Sequence, residues 1–138
     1  MLFPVDCIVA KELREGAPHR AVPSTAVGHD DMVLDIGPET ASAFREVIDS
    51  ARTILWNGPM GVFETPPFGV GTIDVAHSVA DVCDRGALVV VGGGDSAMAA
   101  DLAGVTSRLT HVSSGGGASL AFLAGKTLPG VDSLSDKE

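Results

Sequence analysis

Apolar residues fall along this chain in short runs, most followed by a glycine-rich or polar stretch and then by a helical spacing. Runs at 5–10, 32–36, 53–56 and 87–91 are continuous enough for strands buried on both faces, and 109–112 is a weaker fifth. Over 38–50 the spacing puts Ala41, Phe44, Val47 and Ile48 on one stripe. Pro38 opens that stripe, where a missing N–H costs nothing. Over 72–84 it puts Ile73, Ala76, Ala80 and Cys83 on one face, and two shorter helices are predicted at 95–103 and 118–124. Gly86 and Gly104 are natural helix stops.

Strand and helix alternate, so the pattern predicts an α/β fold. Its form is a parallel sheet with right-handed crossovers and helices on both faces, a Rossmann-like three-layer arrangement. Residues 11–31 break the alternation. They hold Gly16, Pro18, Pro23, Gly28 and several charges, and predict a long surface connection. Residues 130–138 are polar and read as a tail. No internal repeat or linker divides residues 1–138, which suit one domain.

Charge narrows the partners. Eighteen acidic and nine basic residues give −9, which argues against binding nucleic acid or anionic lipid. No apolar run approaches the roughly 20 residues of a membrane span. Met1-Leu2-Phe3-Pro4 lacks the basic start of a signal peptide. Cys7 and Cys83 are too few for a disulfide framework and read as thiols of a reducing cytoplasm. Mean hydropathy is +0.29, high for an acidic chain. Strands buried on both faces would give that value, and so would a piece of a larger protein with former interior faces exposed.

The chemistry lies in three loops, each following a predicted strand and preceding a helix. They are Trp56-Asn57-Gly58-Pro59-Met60-Gly61-Val62-Phe63-Glu64, Val91-Gly92-Gly93-Gly94-Asp95-Ser96 and Ser113-Ser114-Gly115-Gly116-Gly117-Ala118-Ser119. In an open parallel sheet all three lie on the carboxyl edge, where ligands bind. Glycine admits backbone N–H groups to a ligand, and the second and third loops open helices whose N-termini attract anions. One such loop alone would read as a tight turn; three on one edge predict an anion site suited to a polyphosphate. Backbone dipoles and a divalent cation then supply the positive charge that the composition lacks.

Asp95 opens a helix, as an N-cap or as a carboxylate facing a metal–nucleotide; Ser96 is likewise a cap or a phosphate donor. Glu64 is either a ribose ligand or a solvated loop acid. His19, His29, His77 and His111 lack ligand spacing, and with no CxxC or HExxH there is no zinc motif. Gly92-Gly93-Gly94-Asp95-Ser96-Ala97 fits the dinucleotide fingerprint. The acid or basic pair needed about 20 residues on falls at Val112-Ser113-Ser114-Gly115, which offers neither.

The three loops, with Asp35-Ile36-Gly37-Pro38 and His111-Val112, resemble the C-terminal signature of the phosphoglycerate kinase family. Leu128-Pro129-Gly130 is similar to that family's ending and Pro4-Val5-Asp6 to an earlier strand of the same lobe. The resemblance implies two α/β lobes joined by a hinge. The C-terminal lobe takes Mg2+ with ATP or ADP, and the N-terminal lobe takes 3-phosphoglycerate or 1,3-bisphosphoglycerate. It further implies that Asn57 and Ser96 contact nucleotide phosphates, Asp95 the magnesium–nucleotide and Glu64 the ribose, while Gly58, Pro59 and Val62 border the nucleoside. Gly93, Gly94, Gly116 and Gly117 would aim N–H groups at the phosphates, the last three at the phosphoryl in flight.

The sequence departs from the family's pattern in length, being about a third of a family member, with no counterpart of the substrate lobe. The family's glycine-lysine phosphate loop is also missing, since the only lysines are Lys11, Lys126 and Lys137. The resemblance therefore implies part of a cytoplasmic kinase's nucleotide-binding lobe, inactive alone, with 3-phosphoglycerate a ligand only beside the missing lobe. The alternatives are a noncatalytic nucleotide- or anion-binding module, half of a split kinase, and a reductase's dinucleotide domain.

Overall fold

The structure is a computed structural model describing residues 1–113 and 115–134. The expectations for Ser114 and for 135–138 of the tail lie outside those residues. Three strands come first: β1 (Asp6–Ala10), β2 (His19–Pro23) and β3 (Met32–Ile36). After them run α1 (Pro38–Ser50), β4 (Thr53–Asn57), α2 (Val70–Asp84), β5 (Leu88–Gly92), α3 (Gly94–Leu102), β6 (His111–Ser113), α4 (Gly116–Leu123) and α5 (Pro129–Asp132).

The strands divide into two sheets. β4, β5 and β6 form the expected parallel sheet, in that order, with Trp56 opposite Val91 and Val91 opposite Val112. β1 and β3 instead pair antiparallel in a second sheet ordered β2-β1-β3. The stretch 11–31 is thus not only a surface connection. It carries β2, whose Ala21 pairs with Ile8. The physical reason lies in β2 itself, a mostly exposed edge strand that begins His19-Arg20 and ends at Pro23, leaving only Ala21-Val22 as an apolar run. The start of the tail likewise takes one helical turn, α5, opened by Pro129.

Pro38 stands at the first position of α1, and the Gly86 N–H bonds the Cys83 carbonyl just past the end of α2. The main core lies between the parallel sheet and its helices. Trp56, Val89 and Val91 pack there with Val75 and Val79 of α2 and Ala99 of α3. A smaller cluster of Ala10, Ala17, Leu34 and Phe68 seals the antiparallel sheet.

Two carboxylates join the sheets to the helices. Asp6 of β1 accepts from the Thr40 N–H at 2.8 Å, the Glu39 N–H at 3.1 Å and the Thr40 hydroxyl at 2.6 Å, closing the first turn of α1. Asp35 of β3 accepts from the Gly71 N–H at 2.8 Å in the first turn of α2 and from its neighbour Ile36 N–H at 2.8 Å. Neither helix has a side-chain cap on its own N-cap glycine, so these distant acids take that place.

Candidate functional site at the carboxyl edge of the parallel sheet

Parallel pairing brings the ends of β4, β5 and β6 to one edge. Asn57 lies opposite Gly92, and Gly92 opposite Ser113. The Asn57 amide nitrogen donates to the Gly92 carbonyl at 2.6 Å. The Gly93 N–H donates to the Ser113 carbonyl at 2.9 Å. At Gly93 the backbone turns with φ of +108°, a conformation that favours glycine. A Cβ on Gly116 would lie 2.8 Å from the Gly93 Cα, so the two glycine loops touch backbone to backbone.

α3 and α4 both begin at this contact. Ala97 bonds back to the Gly93 carbonyl and Ser119 to the Gly115 carbonyl. The N–H groups of residues 94–96 and 116–118 therefore precede the first intrahelical bonds of their helices and point out of the helix ends. A Cβ on Gly94 or Gly117 would meet nothing within 4 Å, so the approach to these groups is open. No lysine or arginine occurs in any of the three loops, and the positive field is that of the two helix ends.

The structure gathers Asn57, Gly58, Gly93, Gly94, Asp95, Ser96, Gly116 and Gly117 about this edge. Gly93 differs from expectation: its N–H is spent on Ser113 and faces the protein. Asn57 ties β4 to β5 and, among the described residues, leaves one amide N–H and its side-chain carbonyl oxygen without a partner. Ser96 is buried and is not a cap. Its hydroxyl accepts from the Gly58 N–H at 2.6 Å, linking the first loop to the second, and retains its own proton to donate. Asp95 is not the cap either, since Gly93 holds that position; Asp95 is exposed in the first turn of α3. Pro59 and Val62 are half-buried on the first loop and Glu64 is exposed in the turn beyond it. Among the described residues no hydrogen bond joins the Glu64 or Asp95 carboxylate to another side chain.

Sequence reasoning gave no role to Asp35 or Thr72, which shape the first loop from behind. Asp35 appeared only within the 35–38 segment of the family resemblance, because the Gly71 N–H that it holds lies 36 positions away; Thr72 sat unmarked in the predicted second helix. Among the described residues no three His, Cys, Asp or Glu side chains cluster as metal ligands. Asp95 stands alone beside two helix N-termini. That donor set suits a cation carried in on phosphates, with water completing its shell, rather than a protein cage.

A parallel sheet whose carboxyl edge carries two glycine-opened helices defines an α/β protein of the open-sheet class, whose members take ligands at that edge. The chain belongs to the phosphoglycerate kinase family, whose model matches residues 1–126. It is 50% identical over 136 residues to the phosphoglycerate kinase of Chlorobaculum tepidum and 52% identical over 136 residues to that of Chlorobium phaeovibrioides. Both alignments cover 99% of this chain and 34% of the relative. The structure of phosphoglycerate kinase from Coxiella burnetii superposes with a TM-score of 0.86 and 41% identity, over 95% of this chain and 33% of that one. The Pyrococcus horikoshii enzyme gives 0.76 and 38%, over 94% of this chain and 31% of that one. The chain spans about a third of the length of the relatives it matches.

Proposed function

We propose that this chain is the C-terminal part of the nucleotide-binding lobe of a cytoplasmic phosphoglycerate kinase. On this reading it binds ADP or ATP with Mg2+ at the carboxyl edge of the parallel sheet. Phosphoryl transfer to or from 3-phosphoglycerate needs the substrate lobe, which residues 1–138 do not cover. The observation that carries the reading is the junction of α3 and α4, where the first-turn N–H groups of two helices leave one backbone contact at Gly93 and Gly116. Such a pair of helix ends suits the adjacent phosphates of a nucleotide.

In this reading Gly94, Gly116 and Gly117 present N–H groups to the terminal phosphoryl, and Ser96 and Asn57 donate to the phosphates. Gly58, Pro59 and Val62 border the nucleoside, and the exposed Glu64 takes the ribose hydroxyls. Asp95 faces the cation, which when bound offsets phosphate charge. Residues 1–138 form a single, incomplete domain. A net charge of −9 leaves nucleic acid an unsuitable partner, and no described helix is long and apolar enough to cross a membrane.

Titration calorimetry with Mg-ADP, beside a coupled kinase assay on the same sample, tests the reading. Weak, magnesium-dependent binding with no turnover of 3-phosphoglycerate is expected, because one of the two reactant holders is missing. Asp95→Asn should weaken Mg-ADP about ten- to a hundredfold while barely changing metal-free ADP. Absence of binding at millimolar Mg-ADP would refute the reading, and turnover by the pure chain would refute the need for a second lobe.

A further inference from the structure

The first loop has two bonds of its own, from the Trp56 Nε1–H to the Gly58 carbonyl and from the Phe63 N–H to the Gly61 carbonyl, and is otherwise held from outside. Every N–H it has from Gly58 to Val62 is taken by another element. Gly58 donates to the Ser96 hydroxyl at 2.6 Å, Met60 and Gly61 each donate to the Thr72 hydroxyl at 3.1 Å, and Val62 donates to the Leu34 carbonyl at 2.9 Å. Pro59 has no N–H. The loop therefore offers no backbone donor to a phosphate. Toward a ligand it has the side chains of Pro59, Met60 and Val62, since the Gly58, Gly61 and Val62 carbonyls accept from the Trp56 Nε1–H, Phe63 N–H and Thr65 N–H; that is the chemistry of an apolar nucleoside wall.

Thr72 is fully buried in the first turn of α2, and its hydroxyl takes two of these four bonds. Its own position is fixed from β3, where Asp35 accepts from the adjacent Gly71 N–H at 2.8 Å. A Cβ on Gly61 would overlap Asp35 and the Phe68 carbonyl, so the loop lies directly on this support. A hydroxyl oxygen has the two lone pairs needed to take both N–H groups. We infer that Thr72 is the positioning residue of the 58–62 loop, setting where Pro59 and Val62 stand against a nucleoside without touching the ligand itself. The inference rests on the nucleotide reading above.

The test compares the parent chain with Thr72→Val, Thr72→Ser and Thr72→Cys, using Mg-ADP and Mg-pyrophosphate as calorimetric probes and amide exchange at Met60 and Gly61. Valine keeps the shape and deletes the acceptor; serine keeps the acceptor; cysteine keeps a weak one. Thr72→Val is expected to speed exchange at both amides and to weaken Mg-ADP about tenfold, the effect of about two lost hydrogen bonds. Mg-pyrophosphate, which has no nucleoside, should change less than about twofold, and Thr72→Ser should restore the parent values. If Thr72→Val does not fold, Thr72→Cys carries the same comparison, with a smaller loss on Mg-ADP alone. Equal weakening of both probes, undisturbed Mg-ADP binding, or failure of serine to restore it would overturn the inference. A parent chain that binds neither probe would overturn the nucleotide reading and this inference together.

Discussion

Asp35 is a carboxylate in the middle of what reads as an apolar strand. Burial pushes its pKa up to about 6. The Gly71 and Ile36 N–H groups pull the other way, and the negative charge of Asp74 adds to the rise. A carboxyl whose pKa is raised on folding favours the folded state while protonated. Its contribution is whole below the unfolded value near 4 and declines as pH climbs through 6. Denaturant unfolding of the parent and of Asp35→Ala should therefore show a stability difference that shrinks between pH 4 and 6. A rise from the ordinary carboxylate value to about 6 corresponds to at most ~3 kcal/mol. A difference that stays flat over that interval would show Asp35 to be unshifted. Asp6 runs the opposite way. Burial raises its pKa, but the Thr40 hydroxyl and the Thr40 and Glu39 N–H groups outweigh it and hold it below the usual range. Its contribution is present above about pH 4 and is lost in acid.

At the scale of the element, the meeting of α3 and α4 sets a sharp contrast between neighbouring glycines. A methyl on Gly116 would press on the Gly93 backbone, whereas one on Gly117 enters open space inside a helix. Gly116→Ala is expected to lower stability by about 1–3 kcal/mol, the cost of overpacking a rigid contact. Gly117→Ala should instead gain up to about 1 kcal/mol from helix propensity. Thermal or urea unfolding of the two variants gives the comparison, and equal effects would mean that the loops do not touch. α1 and the parallel strands were legible because their signals are local: Pro38, Gly86 and apolar runs of the right length. The partners of β1 and β3 were not, because a β-α alternation does not report direction when 21 residues separate two strands. The glycine loops were legible as a group, yet the diversion of the Gly93 N–H to Ser113 depends on a strand 20 positions away. For the same reason no local signal gave Asp35 or Thr72 its role, since the N–H groups they hold belong to other elements.

For the molecule as a whole, β4 forms one edge of the parallel sheet. Leu55 of β4 and Leu88 of the neighbouring β5 are both exposed, and with Leu55 opposite Val90 and Leu88 opposite Thr53 they lie diagonally on one face of the sheet. An apolar cavity of about 260 Å³, lined in part by Phe44, Ile54 and Trp56, opens along it. An apolar sheet edge of this kind favours association with other strands. Leu55→Lys should raise the concentration at which the isolated chain stays dispersed in light scattering, without lowering its melting temperature by more than a few degrees. An unchanged threshold would show that the edge plays no part in association.

The Asp6 and Asp35 contacts bear on how this polypeptide can be divided. Each carboxylate belongs to the antiparallel sheet, while the helix ends that it neutralises belong to the layer packed on the parallel one. A cut near residue 37 would look clean by strand pairing, since no ladder crosses it. It would nonetheless strip α1 and α2 of their counter-charges and, through Gly71 and Thr72, free the loop at 58–62. The shortest self-sufficient unit must therefore retain the first 37 residues, and a genetic dissection that discards them would report a lost ligand site whose own residues are all still present.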